Sequence, residues 1–145
     1  MNDIRIIKAK EELEGTCYME LLPGTYKDKC WNDGSLFFDE EVFGYIEPIF
    51  KFHITSYDHY AFIEVKKDVW LKIIEDLKNL RSLLQSATSI TELNDRVGFI
   101  YRESAEQYAA NFLENNSALS HLISELLEWL CAKICEHESI TILGM

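Results

Sequence analysis

The stretch DVWLKIIEDLKNLRSLL, residues 68–84, decides how the chain is read. Val69, Ile73, Leu77, Leu80 and Leu84 recur at intervals of three and four, which sets them on one face of a helix. Asp68 stands where an N-cap is expected. Downstream, Ser89 and Glu92 have the spacing of a capping box and open a pattern through Leu93, Val97, Ile100, Tyr101, Tyr108 and Phe112, with a bend expected near Gly98. A third helix is predicted from Ser117 through Leu119, Leu122, Ile123, Leu126, Leu130 and Ile134.

Upstream of residue 68 the signals turn to short strands. IRIIKA (4–9) alternates weakly, and CYMELL (17–22) reads as a strand stopped by Pro23-Gly24. Asn32-Asp33-Gly34 marks a second turn. Asp39 is placed as the cap of a short helix holding Val42, Phe43 and Ile46, which Pro48 interrupts. Residues 49–54 and 60–65 are strand candidates, and SITIL (139–143) closes the chain as a last strand or tail. The expectation is a helix-dominated α+β fold in a single domain spanning 1–145. Short N-terminal strands come first, then three long helices and a short C-terminal strand.

With 145 residues the chain has the length of one ordinary domain. A hydrophobic share of 48% with 12% aromatics supplies a packed core and argues against disorder. Two prolines and six glycines leave no room for a linker. The N-terminus MNDIRIIKAKEELEG lacks the apolar run of a signal peptide, and no window of 18 apolar residues suggests a membrane span. Cytoplasmic residence is therefore expected, with Cys17, Cys30, Cys131 and Cys135 reduced.

A net charge of −11 sets the class of partner. Nucleic acid and anionic membrane both need Lys/Arg patches, so neither is expected to bind. A basic protein would be drawn in instead. The acids fall in two blocks. Residues 28–58 carry Asp28, Asp33, Asp39, Glu40, Glu41, Glu47 and Asp58 against Lys29 and Lys51. Residues 103–138 carry seven glutamates, Glu103, Glu106 and Glu114 among them, against Lys133. Aromatics from Trp31 to Tyr60 interleave the first block; most belong to a core, and a few exposed ones beside carboxylates would serve as interface anchors.

Two clusters carry residue types used in catalysis and metal binding. In SYDHYAFIEV (56–65), Asp58 and His59 would point to opposite faces of an extended chain and so not pair, and His53 brings no third ligand. His59 reads as scaffold. Cys131 and Cys135 share a helix face, with His137 close behind, yet the other two cysteines form no second tight pair of the kind zinc sites use. A small metal-binding protein or enzyme built on His53/His59 or on Cys131/Cys135 stays as the alternative. No G-x-S-x-G elbow, phosphate-binding glycine loop or H-E-x-x-H is present, so no enzyme activity is expected.

DGSLFFDEEVFGYIEPIF (33–50), YDHYAFIEV (57–65) and DVWLKIIEDL (68–77), with the ITILGM ending, resemble small acidic immunity proteins of bacterial polymorphic-toxin systems, including contact-dependent growth inhibition. The resemblance rests on an arrangement of glycine, acids and aromatics over about a third of the chain. It implies a non-enzymatic cytoplasmic protein, without cofactor, that binds and blocks a cognate toxin domain, often a nuclease. The residues expected to meet Lys/Arg on such a partner are Asp39, Glu40, Glu41, Glu47, Asp58, Glu103, Glu106 and Glu114.

Overall fold

The computed structural model describes residues 3–145. Four strands, β1 (Tyr18–Pro23), β2 (Leu36–Asp39), β3 (Phe62–Lys66) and β4 (Ser139–Leu143), form one antiparallel sheet in the order β2-β1-β4-β3. The helices are α1 (Glu40–Gly44), α2 (Glu47–His53), α3 (Lys67–Ser86), α4 (Ser104–Ala110) and α5 (Phe112–Glu136). The α+β expectation holds. The closing SITIL segment is no loose tail: it lies inside the sheet between β1 and β3, and all five of its residues are buried.

Strand alternation sorts the sheet into two faces. Met19 and Leu21, Leu36 and Phe38, and Ile140 and Ile142 enter a core shared with Trp70, Ile73, Leu77 and Leu80 of α3 and with Leu119, Ile123, Leu126 and Leu130 of α5. The Trp70 indole N–H donates to the Ile140 carbonyl (3.1 Å), joining α3 to the sheet. Arg81 and Gln85 of α3 donate to Ser124 and Ser120 of α5, at 3.1 and 3.3 Å, so the two long helices run antiparallel. Of the apolar positions read from 68–84, Ile73, Leu77, Leu80 and Leu84 are buried and Val69 is half-covered at the rim; Trp70 and Ile74, which the pattern did not include, are buried as well. Asp68 is not the cap: α3 starts at Lys67, and Asp68 sits in its first turn, where a carboxylate suits the helix dipole.

Several expectations need correction. IRIIKA forms no strand of its own; Ile7 makes a single bridge to Phe37, both N–H···O distances being 2.8 Å, and so covers the outer edge of β2. Residues 49–53 are helical, and Ile54 is the extended C-cap. A strand there would bury Phe52 with Phe50, yet Phe50 is fully buried and Phe52 is 80% exposed, which is helical spacing. Pro48 starts α2 instead of stopping α1, because the first turn of a helix needs no N–H from that position. Asp39 occupies the N-cap position of α1 without making a cap hydrogen bond. The C-terminal helix begins at Phe112, so Ser117 lies inside it.

The middle helix is the largest departure. Glu92 does take the N–H groups of Thr88 (2.7 Å) and Ser89 (2.8 Å), and these bonds pull its carboxyl below the usual range. They open only a 3-10 turn, Ile90–Leu93, after which the chain stays irregular up to α4. Gly98 explains the interruption. Its N–H donates to the Tyr45 carbonyl (3.0 Å), and a Cβ at this position would stand 2.3 Å from the Gly44 carbonyl oxygen and 3.1 Å from Pro48. The segment is bonded to the α1–α2 corner in place of its own next turn. Among the described residues no helix is long and apolar enough to cross a membrane.

Gly98→Ala is expected to destabilise the protein by about 2 kcal/mol or more, since two backbones must separate to admit the methyl group. Urea unfolding measures this; a midpoint equal to wild type would show that the contact is not tight.

Candidate functional site

The first acidic block folds inward. Glu40 opens α1 and Glu47 opens α2, and the loop between α2 and β3 brings His59 between them. His59 Nδ1 lies 2.6 Å from Glu47 Oε2, and Nε2 lies 2.6 Å from Glu40 Oε2. Tyr57 donates to the same Glu47 oxygen, and Tyr101 donates to Glu40 Oε1 at 2.8 Å. The side chains of His59, Glu40 and Glu47 retain 15%, 14% and 5% exposure. With a carboxylate on each ring nitrogen, both nitrogens must carry hydrogen, which is the imidazolium form. Burial pushes the His59 pKa down, but the hydrogen bonds and charges of Glu47 and Glu40 outweigh it and leave it raised. A hydrogen bond to Glu40 likewise holds the Tyr101 phenol up at about 12.

This arrangement ties structure together and leaves no imidazole nitrogen free to accept a proton, which a general base requires. His59 was expected to be scaffold, and its partners stand 19 and 12 residues away in the chain. Its sequence neighbour Asp58 turns outward and takes the N–H of Tyr60 at 2.9 Å. Main-chain bonds from Gly144 to Ala61 (3.0 Å) and from Met145 to His59 (3.1 Å) hold the loop against the end of β4.

Two further carboxylates are buried. Glu41, 6% exposed, accepts from Ser104 Oγ (2.7 Å) and pins the start of α4 to α1. Glu20, 2% exposed, accepts from the main-chain N–H of Trp31 (2.6 Å) and Asn32 (3.0 Å), from the Asn32 amide (3.0 Å) and from Ser35 Oγ (2.7 Å). It thereby holds the loop between β1 and β2, in which Asp28 and Trp31 have positive φ. Glu20 was not among the residues singled out in the sequence. A lone acid inside the apolar run CYMELLP was the available signal, because a carboxylate on a buried strand must find partners.

The expected partner contacts therefore separate. Glu41 and Glu47 are buried and Glu40 is committed to His59 and Tyr101, so these three cannot reach a partner; they act inside the fold. Asp39 is half-buried, and burial raises its pKa despite the nearby Arg5. Asp58, Glu103, Glu106 and Glu114 are exposed, and none of them forms an ion pair among the described residues. Two exposed rings stand next to Asp58 and Glu103 in the chain. Tyr60, 69% exposed, packs edge-on against His59 with ring centres 5.0 Å apart, and Tyr101 is 48% exposed. The link His59–Glu40–Tyr101 thus joins the Asp58–Tyr60 loop to the segment that leads into Glu103 and Glu106.

The alternative clusters are placed apart. His53 pairs with Asp76 of α3 at 2.5 Å and does not approach His59 through any hydrogen bond. Cys131 and Cys135 are both exposed on α5. Among the described residues no group of three metal-ligating side chains converges. No protein family, curated protein or solved structure matches the chain.

Replacing His59 with glutamine removes a cation from between two covered carboxylates and is expected to cost about 3 kcal/mol. The pH dependence follows from the raised pKa: the contribution is complete below the unfolded-state value near 6.5 and fades as pH climbs through the folded-state value. Wild type should lose stability over that rise while the His59→Gln variant changes little. Parallel pH profiles from denaturant unfolding would sink the assignment.

Proposed function

We propose that this protein is an immunity protein that binds a cognate toxin domain and neutralises it by steric and electrostatic occlusion, without catalysis. The observation that carries the reading is a set of exposed carboxylates, Asp58, Glu103, Glu106 and Glu114, that form no ion pair among the described residues; Asp58 takes the N–H of the exposed Tyr60, and Glu103 follows the exposed Tyr101 by two residues. Aromatic anchors with free carboxylates around them suit a basic partner. The acids steer the encounter, while rings that lose water on docking lengthen the complex's lifetime. The buried block adds to this. Glu40, Glu41 and Glu47 are met by a single imidazole and by hydroxyls, so the interior behind the same face keeps a net negative charge.

A basic partner of this kind is a nuclease toxin domain, whose phosphate-binding groove is positive and accepts an acidic protein in place of its substrate. Inhibition of such a toxin belongs to the cytoplasm, where its nucleic-acid substrate lies. The resemblance of 33–77 to polymorphic-toxin immunity proteins points the same way.

The decisive experiment is co-expression with the toxin domain encoded next to this gene: cells should survive with this chain and die without it, and the two proteins should co-purify. Association should slow as salt rises. Glu103→Lys, Glu106→Lys and Glu114→Lys together should reduce the association rate by roughly tenfold at low salt without altering the fold, because all three side chains are exposed. An unchanged rate in stopped-flow measurements would exclude this set of acids from the docking surface.

A further inference from the structure

On the sheet face turned away from the helices, a hollow of about 410 Å³ opens between the β1–β2 loop, β3 and the end of β4. Its walls include the rings of Tyr18, Trp31, Tyr60 and Phe62, and its lining also includes Cys30 and the carboxylate residue Glu20. Tyr18 and Trp31 meet edge to face with ring centres 6.2 Å apart. Phe62 and Tyr60 are 46% and 69% exposed, and Tyr26 leans on Phe62 at 5.0 Å, so the aromatic wall stands in solvent without a covering element.

Glu20 gives the hollow its sign. Its four hydrogen bonds come from main-chain amides, an asparagine and a serine, and among the described residues no Lys, Arg or His is bonded to it. The charge is solvated by the loop but not neutralised. The Cys30 thiol registers this: burial raises its pKa first, and the nearby Glu20 charge raises it further. Lys27 and Lys29 belong to the same loop, yet neither lines the hollow.

We infer that this hollow is an aromatic cage for one Lys or Arg side chain of the protein partner, with Tyr18, Trp31, Tyr60 and Phe62 meeting its alkyl stem and cationic head and the buried Glu20 charge selecting for the cation. Ring faces attract ammonium and guanidinium groups through their quadrupoles, best where water is excluded. Glu20 is 2% exposed and already bonded to the loop, so it does not grip the cation; it biases the cage from behind. Loss of the side-chain cation on a ligand of equal shape should therefore matter more than loss of ligand size. The inference rests on the toxin-binding reading for the source of the side chain. It also extends the docking surface, because Tyr60 belongs to both.

The test titrates the isolated protein with N-acetyl-lysine methylamide, N-acetyl-arginine methylamide and the uncharged N-acetyl-norleucine methylamide, followed by NMR. A Trp31→Phe variant identifies the Trp31 indole signal. Both cationic probes should shift that signal to saturation, and the norleucine probe should bind roughly tenfold more weakly. Tyr60→Ala and Phe62→Ala, at exposed positions that leave the fold intact, should each weaken the cationic probes several-fold. Equal binding of the norleucine probe would make the hollow an apolar anchor site and overturn the proposal. So would shifts that spare Trp31, or affinities that ignore both alanine variants. Cationic probes that bind in a chain unable to rescue cells would leave the cage standing and remove the toxin reading. Rescue by a chain whose cage takes no cation would do the reverse.

Discussion

One imidazole held between two carboxylates ties four stretches of this chain together. Glu40 begins α1, Glu47 begins α2, His59 comes from the loop before β3, and Tyr101 arrives from the irregular run before α4. None of these pieces is long enough to be stable by itself; α1 and α2 have five and seven residues. Covering a carboxylate costs several kcal/mol unless its lone pairs are met. Here they are met by His59, Tyr57 and Tyr101, so each short piece is held by the needs of the others. The Gly98 contact with Gly44 and the Ser104 bond to Glu41 are built on the same corner.

That construction changes what the acidity means. In an ordinary soluble protein, excess carboxylates lie on the surface and keep molecules apart. This chain places Glu20, Glu41 and Glu47 inside; Glu20 and Glu41 are met by neutral donors and Glu47 by Tyr57 and His59, which is the one cation bonded to these three among the described residues. Interior charge reaches further than surface charge. At an effective dielectric of about 20, a unit charge acting across roughly 8 Å is worth about 2 kcal/mol, against about 0.5 kcal/mol in bulk water. The negative field of the Tyr60–Tyr101 face thus has an internal source as well as the exposed Asp58, Glu103 and Glu106.

Periodicity made the long elements legible and distance hid the rest. The stretches that became α3 and α5 carry enough repeats for one face to declare itself, and the apolar positions read there are buried apart from Val69 at the rim. Residues 49–54 offered six positions, too few to separate a period of 2 from one of 3.6, and the exposure of Phe52 decides it only in three dimensions. The pattern from Leu93 to Phe112 looked helical because Leu93, Val97, Tyr108 and Phe112 do pack on the core, but from a bent path that Gly98 dictates, which leaves Tyr101 in solvent. The acids were misplaced for a related reason. DEEVFGYIEP reads as a solvated helix start, whereas its partners His59, Tyr101 and Ser104 lie 12 to 63 residues downstream, where no local spacing rule can find them.

The division between inner and outer acids also bears on how recognition would respond to salt. Exposed carboxylates farther than about 8 Å from a partner's charges are largely screened at physiological ionic strength, whereas charges under protein are screened much less. Asp58, Glu103, Glu106 and Glu114 belong to the first kind; Glu20, behind the aromatic hollow, belongs to the second. Steering acts during approach and is the part that ionic strength erodes. In the proposed complex, retention would depend on what is desolvated, namely rings closing over a cation in front of the buried Glu20 carboxylate. If the proposed partner is basic, a chain with both kinds of acid would meet it quickly at low salt and hold it after the long-range field has been screened away.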